Sequence, residues 1–183
     1  PFIVRRARAM AARRHRPLRV MFQDEARFGR INEPRRCWAM AGVRPVVRRQ
    51  IVREYTYAYA AVSPADGASE FLVLPEMTAS TMDVFLAHVA KAHPHDFILM
   101  CYDGAPCHSV SALHVPPSMT IESLPAYCPE LNPTENLWDN LREGFFPNLF
   151  FDSMDALESQ LVVGMRHFAG HADTVRSITG FPW

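Results

Sequence analysis

Lysine is almost missing from this 183-residue sequence, in which Lys91 stands beside eighteen arginines. Arginine carries a planar fork of donors that meets phosphate oxygens two at a time, so a basic surface built from it suits anionic partners. There is no uninterrupted apolar run of the length a membrane-spanning helix requires. The opening PFIVRRARAM has no apolar core followed by a small-residue cleavage site, so it is not expected to be a secretory signal. The four cysteines (Cys37, Cys101, Cys107 and Cys128) contain no CxxC pair and no zinc-ligand spacing. Reduced thiols in a cytosolic protein are the expectation. No internal repeat occurs, and no low-complexity tract beyond a basic N-terminus. The first residue is Pro rather than Met, so further sequence is expected upstream.

What is present fits one soluble globular domain: 49% hydrophobic and 21% charged residues, in a chain long enough to bury a core. The formal net charge of zero conceals a polarised chain. Residues 1–53 hold fifteen basic residues against three acidic ones, and residues 54–183 hold four against sixteen. Such asymmetry points to an anionic partner at the basic end.

Residues 5–19 read as a basic, Ala-rich helix or linker ended by Pro17. Leu18 to Phe22 is an apolar run that breaks into charge at Asp24 and a turn at Gly29, the pattern of a buried strand delivering an acid at its end. Segments 36–40 and 43–47 read as strand pieces, and Trp38, like Trp138, is expected in the core. Residues 51–62 are β-prone, with Tyr55, Tyr57 and Tyr59 on one face. A turn at 64–67 returns the chain into a partner strand at 70–74. Ser80 is a plausible N-cap for a helix to about residue 92, with Met82, Phe85, Leu86 and Val89 at helical spacing. Residues 96–105 form a second strand ending in an acid, Asp103, followed by a short helix or turn and a strand at 119–124. Asn132-Pro133-Thr134-Glu135 opens a helix. A last helix near 154–168 buries Leu157, Leu161, Met165 and Phe168. The order predicts a mixed α/β domain with a central sheet flanked by helices.

Two strands ending in Asp, plus a Glu one turn into a later helix, supply what two-metal phosphoryl transfer needs. Hard carboxylate oxygens must hold two divalent ions about 4 Å apart. Read singly, each acid has a rival explanation. Glu25 competes with Asp24, although strand alternation lets only one of them enter a cleft. Asp103 begins an Asp-Gly turn dipeptide. Glu135 stands at the third helical position after Asn132, where a capping box would use its carboxylate.

Longer motifs accompany these acids. QDEARFGR surrounds Asp24, and RRCWAMAGVRP follows it. DGAPCHSVSALHVPPSMTI begins at Asp103, LPAYCPELNPTENLW surrounds Glu135, and VRSITGFPW ends the chain. In this order the motifs resemble transposases of the insertion-sequence 630 family, within the mariner superfamily. Two departures, Cys128 in place of the usual Ser and Ala126 in place of a frequent second Pro, remove no acid. The resemblance implies an RNase H-like fold in which an antiparallel meander and parallel strands share one sheet. It implies Asp24, Asp103 and Glu135 as catalytic metal ligands, Glu135 being selected over Glu130 by its place after Asn-Pro-x. It implies two Mg2+ or Mn2+ ions, cut-and-paste insertion at TA dinucleotides, and a helix-turn-helix region that these residues do not include. The partners expected are transposon-end and target DNA and further copies in a dimer or larger assembly on DNA, with no membrane. The setting expected is the bacterial cytoplasm, at the nucleoid.

Arg27 and Arg30 flank the first acid, and His108 follows the second by five residues; all three are candidates for DNA phosphate contacts. The chain divides into a basic linker or helix at 1–17 and a catalytic domain at 18–183. A remnant that binds DNA or transposase subunits without cutting is the alternative, against which the three intact acids argue. A host nuclease of RNase H type is disfavoured by the PELNPTENLW run.

Overall fold

The computed structural model describes residues 2–32, 34–103, 113–125 and 128–180. Helix α1 (Phe2–Arg13) leads into strand β1 (Leu18–Ile31), then β2 (Ile51–Val62), β3 (Ser69–Leu74), α2 (Ala79–Ala92), β4 (Phe97–Tyr102) and β5 (Met119–Ser123). A 3-10 turn at Pro129–Leu131 introduces α3 (Pro133–Phe145), α4 (Met154–Ala169) and α5 (Ala172–Thr179). The five strands form one sheet in the order β3-β2-β1-β4-β5. The β1–β2 and β2–β3 pairs are antiparallel, while β1–β4 and β4–β5 are parallel. This is the mixed sheet of meander and parallel strands expected from the sequence.

Residue alternation sorts the sheet into two faces. Met21, Tyr59, Ala61, Ile98 and Met100 pack with Met82, Phe85, Leu86 and Val89 of α2. Ala26, Phe28, Ala58, Ala60 and Val62 face the other way, onto Leu137 and Leu141 of α3 and Leu157, Leu161 and Met165 of α4. Phe97 to Met100 are all buried, the near-continuous apolar strand of a parallel pair covered on both sides. α1 joins the α3–α4 side: Ala7 and Ala11 are buried one turn apart, and the Arg14 guanidinium lies 4.9 Å from the Phe97 ring.

Four expectations need correction. Residues 36–40 and 43–47 form no strand; the segment 34–50 carries no regular strand or helix. The β1–β2 ladder closes at Ile31–Ile51 and leaves that segment outside the sheet. Trp38 is therefore fully exposed, at 102% relative accessibility, and not in the core. The N-cap of α2 is Thr78, which accepts from Thr81 N while the Thr81 hydroxyl accepts from Thr78 N, so Ser80 lies inside the helix. Helix α5 was not foreseen. The helix or turn expected after Asp103 lies outside the described residues.

Gly67 ends the β2–β3 turn with φ +74°, and a Cβ there would come 1.9 Å from the Ala172 carbonyl oxygen at the start of α5. Both the left-handed backbone and the close approach require glycine. Gly67→Ala should cost on the order of 2 kcal/mol or more in urea unfolding. Wild-type stability would show that this seam does not hold α5.

Candidate active site

Asp24 lies inside β1, opposite Ala60 on β2, and its neighbour Glu25 lies opposite Tyr59. Tyr59 packs on the α2 face and Ala60 on the α3 face, so Asp24 is the member of the acidic pair that looks toward α3. The parallel register pairs Phe22 with Cys101. Continuing it by two residues brings Asp103, which directly follows β4, level with Asp24. Crossover through α2 thus places acids 79 positions apart side by side.

The start of α3 is fastened to β1 at the same level. Asn132 caps the helix by accepting from Thr134 N at 3.2 Å, and its amide donates to the Gln23 carbonyl at 3.1 Å. The Thr134 hydroxyl donates to the Phe22 carbonyl at 3.0 Å. One turn on, buried Trp138 donates its indole Nε1–H to Asp24 Oδ2 at 3.0 Å. Because the Asn132 side chain bonds the amide of Thr134 and not that of Glu135, the reciprocal capping box does not form, and half-buried Glu135 sits in the first turn. Glu130 is exposed in the preceding 3-10 turn.

These carboxylates affect one another. Burial, followed by the charges of Glu135, Glu25 and Asp103, pushes the Asp24 carboxyl up to about 8, with an opposing hydrogen bond from the Glu25 backbone. Burial also raises the Glu135 carboxyl; Arg142 opposes this, and Asp139 and Asp103 add to it. Among the described residues no three Asp, Glu, His or Cys side chains close into a ready-made metal cage. The donor set still fits a hard divalent cation: three carboxylates in mutual repulsion, one of them buried, supply oxygen ligands whose charge a cation would offset.

The flanking cations divide by task. Arg30 is held within the fold, its Nε donating to the Phe151 carbonyl at 3.0 Å, Nη2 to the Asp152 carbonyl at 2.7 Å and Nη1 to Glu54 at 2.6 Å. It ties β1 to the chain before α4, with three of its five N–H donors engaged within the fold. Arg27 is exposed and lies over the Tyr55 ring at 4.6 Å. With Arg35 and Arg142 it lines a hollow of about 330 Å³ floored by Phe28, Phe146 and Phe151. Arg142, two turns after Glu135, was missed in the sequence, as was the Trp138 bond. Both follow Glu135 at helical spacings of three and seven, the one signal available. His108 lies outside the described residues.

A buried acid within β1, an exposed one just past the end of the parallel strand β4, and a half-buried third on α3 are arranged on an RNase H-like fold. Residues 19–158 match the family described as DDE superfamily endonuclease, and the chain belongs to that family. An uncharacterized protein of Sinorhizobium fredii, y4pE/y4sA, is 33% identical over 104 residues, which cover 55% of this chain and 76% of that protein. The fold is similar to that of Mos1 transposase in a paired-end complex with left transposon end, with a TM-score of 0.58 and 15% identity over 94% of this chain and 58% of that one. A pre-cleavage Mos1 transpososome gives 0.59 and 12% over 96% and 60%. A Mos1 mariner paired end complex with Mn gives 0.57 and 15% over 96% and 60%. The chain thus spans about three fifths of the length of these Mos1 chains. No helix among the described residues is long and apolar enough to cross a membrane.

The Asp24 environment has a thermodynamic signature. Unfolded, Asp24 ionises near 3.8; folded and free of cation, it keeps its proton up to about 8. Its contribution to stability is therefore full below about pH 4 and is lost as pH rises toward 8. In chelator-treated protein, the melting temperature of Asp24→Asn should overtake that of wild type by several degrees between about pH 4.5 and 8.5. A gap that does not change with pH would reject the buried, repelled carboxyl.

Proposed function

We propose that this domain is the catalytic part of a transposase of the insertion-sequence 630 family, which cuts and joins DNA at the nucleoid in the bacterial cytoplasm. The observation that carries the reading is the proximity of Asp24, within β1, to Asp103, just past β4, and to Glu135, in the first turn of α3. These three side chains would hold two Mg2+ or Mn2+ ions, a choice supported by the Mn of the similar Mos1 complex. When bound, the ions would activate the attacking oxygen and stabilise the leaving 3′ oxygen of an in-line displacement.

The chain's own residues have separable tasks. Trp138 fixes the Asp24 carboxylate in one orientation through its indole N–H, and burial keeps water from loosening it. Asn132 and Thr134 hold the α3 start against β1, so that Glu135 approaches from a rigid element. Arg27 and Arg142 would take phosphate oxygens of the substrate strand into the hollow they share. Water attacks a phosphodiester at the transposon end and leaves a free 3′-OH; that hydroxyl then attacks a target phosphodiester, at a TA dinucleotide, and expels the target's 3′ oxygen. Joining two ends to one target calls for at least two copies on the DNA. Residues 1–17 are the basic segment leading into the catalytic domain at 18–183, and His108 is a further candidate for DNA contact.

Plasmid nicking and transfer of a pre-cut end provide the test. Cleavage should require Mg2+ or Mn2+, and Asp103→Asn and Glu135→Gln should each lower it roughly a thousandfold while retaining duplex binding. Duplex binding without metal-dependent cleavage in wild type would favour the inactive remnant instead. Equal activity in Glu135→Gln would remove that residue from the site.

A second expectation concerns the indole. Trp138→Phe keeps most of the buried volume and loses only the donor, so activity or apparent metal affinity should fall about 10- to 100-fold. Metal titration of nicking reads this directly, and an unshifted titration curve would leave Trp138 a packing role alone.

A further inference from the structure

The four arginines within α1 are not all accounted for by the fold. Arg6 meets Glu122 on β5 in an ion pair. Arg5, Arg8 and Arg13 are exposed, and none forms an ion pair among the described residues. No acidic residue stands in the first turn of α1. Like charges three apart, as in Arg5 and Arg8, cost a helix a few tenths of a kcal/mol. A bound anion would turn that cost into a gain.

The position of α1 adds direction to this charge. Glu122 is level with Cys101 in the β4–β5 register, two residues short of Asp103. Arg14, just past the other end, lies on Phe97, the first residue of β4. The helix therefore runs the length of β4, from the acid-bearing end of the strand to its opposite end, a span of about 18 Å. It does so on the face that also carries Asp24 and α3. Beyond its end, at the strand end remote from the acids, Arg14, Arg16 and Ser118 line a second hollow of about 550 Å³ with Ala90 and Pro94 of the α2 side.

We propose that α1 forms a rail for the phosphate backbone of duplex DNA, holding the substrate along the face that bears the acids. The proposal rests on the reading of the chain as a DNA-processing enzyme. Arg5 and Arg8, a helical turn apart, stand about 5–6 Å from one another, roughly two nucleotides of rise along one strand, and Arg13 extends the charge toward the far end of the helix. Guanidinium forks address phosphate oxygens, and a rail that reads no bases gives affinity without sequence preference.

The test is a triple variant of the full 183-residue chain, Arg5→Gln with Arg8→Gln and Arg13→Gln, which keeps helix propensity and removes charge. Anisotropy titration of a 30-base-pair duplex of arbitrary sequence, between about 50 and 200 mM NaCl, reads phosphate contacts through the salt slope. The slope should fall by about two to three, and affinity at low salt at least tenfold, with the loss in nicking falling on KM and not on kcat. Lysine at the same three positions should restore most of the binding. Unchanged affinity and slope in the Gln variant, with Asp103→Asn still abolishing nicking, would overturn the rail and leave the nuclease reading intact. Stronger binding of wild type to phosphatidylserine vesicles than to duplex, lost in the Gln variant, would assign α1 to a membrane surface and also overturn it. Wild type that neither binds nor nicks duplex with either metal would remove the nuclease reading, and the rail with it.

Discussion

Three hydrogen bonds passing from the first two turns of α3 to consecutive residues of β1 set the geometry on which the site depends. Asn132 reaches the Gln23 carbonyl, Thr134 the Phe22 carbonyl and Trp138 the Asp24 carboxylate. The helix cannot slide or rotate without leaving buried polar atoms unpaired, a cost of about 1–3 kcal/mol for each. Leu137 and Leu141 press the same helix onto the sheet, so packing and hydrogen bonding select one docking position. Glu135 and Arg142 inherit their places from it. Placement of the acids is thus a property of the α3–β1 contact more than of any single side chain.

That contact also holds an unfavourable state in place. Asp24 is 7% exposed and faces two other carboxylates, an arrangement an isolated fold would avoid. The surrounding core supplies the stability that permits it, from the apolar β4 strand to the α3–α4 packing. Charge is distributed to match. Part of the arginine surplus is spent internally, Arg19 on Asp66 and Asp96 and Arg30 on Glu54 and two carbonyls. Others stay outside, among them Arg5, Arg8 and Arg13 on α1 and Arg27 on β1. The sequence count alone could not separate arginines that tie the fold together from those left for a partner.

Local pattern was legible where one face decides everything. The helical spacing in α2 and α4 and the apolar run of β4 were read to within a few residues, because burial on one side or both imposes a period. The 34–50 segment was misread because Val43, Val46 and Trp38 look β-prone, yet no sheet edge is available where they fall. Alternation limited the cleft to Asp24 or Glu25 but could not choose between them, since the choice depends on which face α3 covers. The parallel β1–β4 pairing that sets Asp24 beside Asp103 is a long-range fact, invisible to spacing. Trp138 read correctly as a core residue; its donor atom found Asp24 only through tertiary packing.

The fastening of α3 confines structural and chemical duties to a run of seven residues, Asn132 to Trp138. Most substitutions there would loosen the docked helix and displace an acid at once. Such a stretch offers few neutral steps: a gene copy drifting in this run would lose its folded state along with its chemistry, and proteolysis would clear it early. Loss through the exposed 34–50 segment follows another course, because changes there leave the sheet intact. A folded but idle descendant of this domain is therefore expected to carry its damage outside the Asn132–Trp138 run.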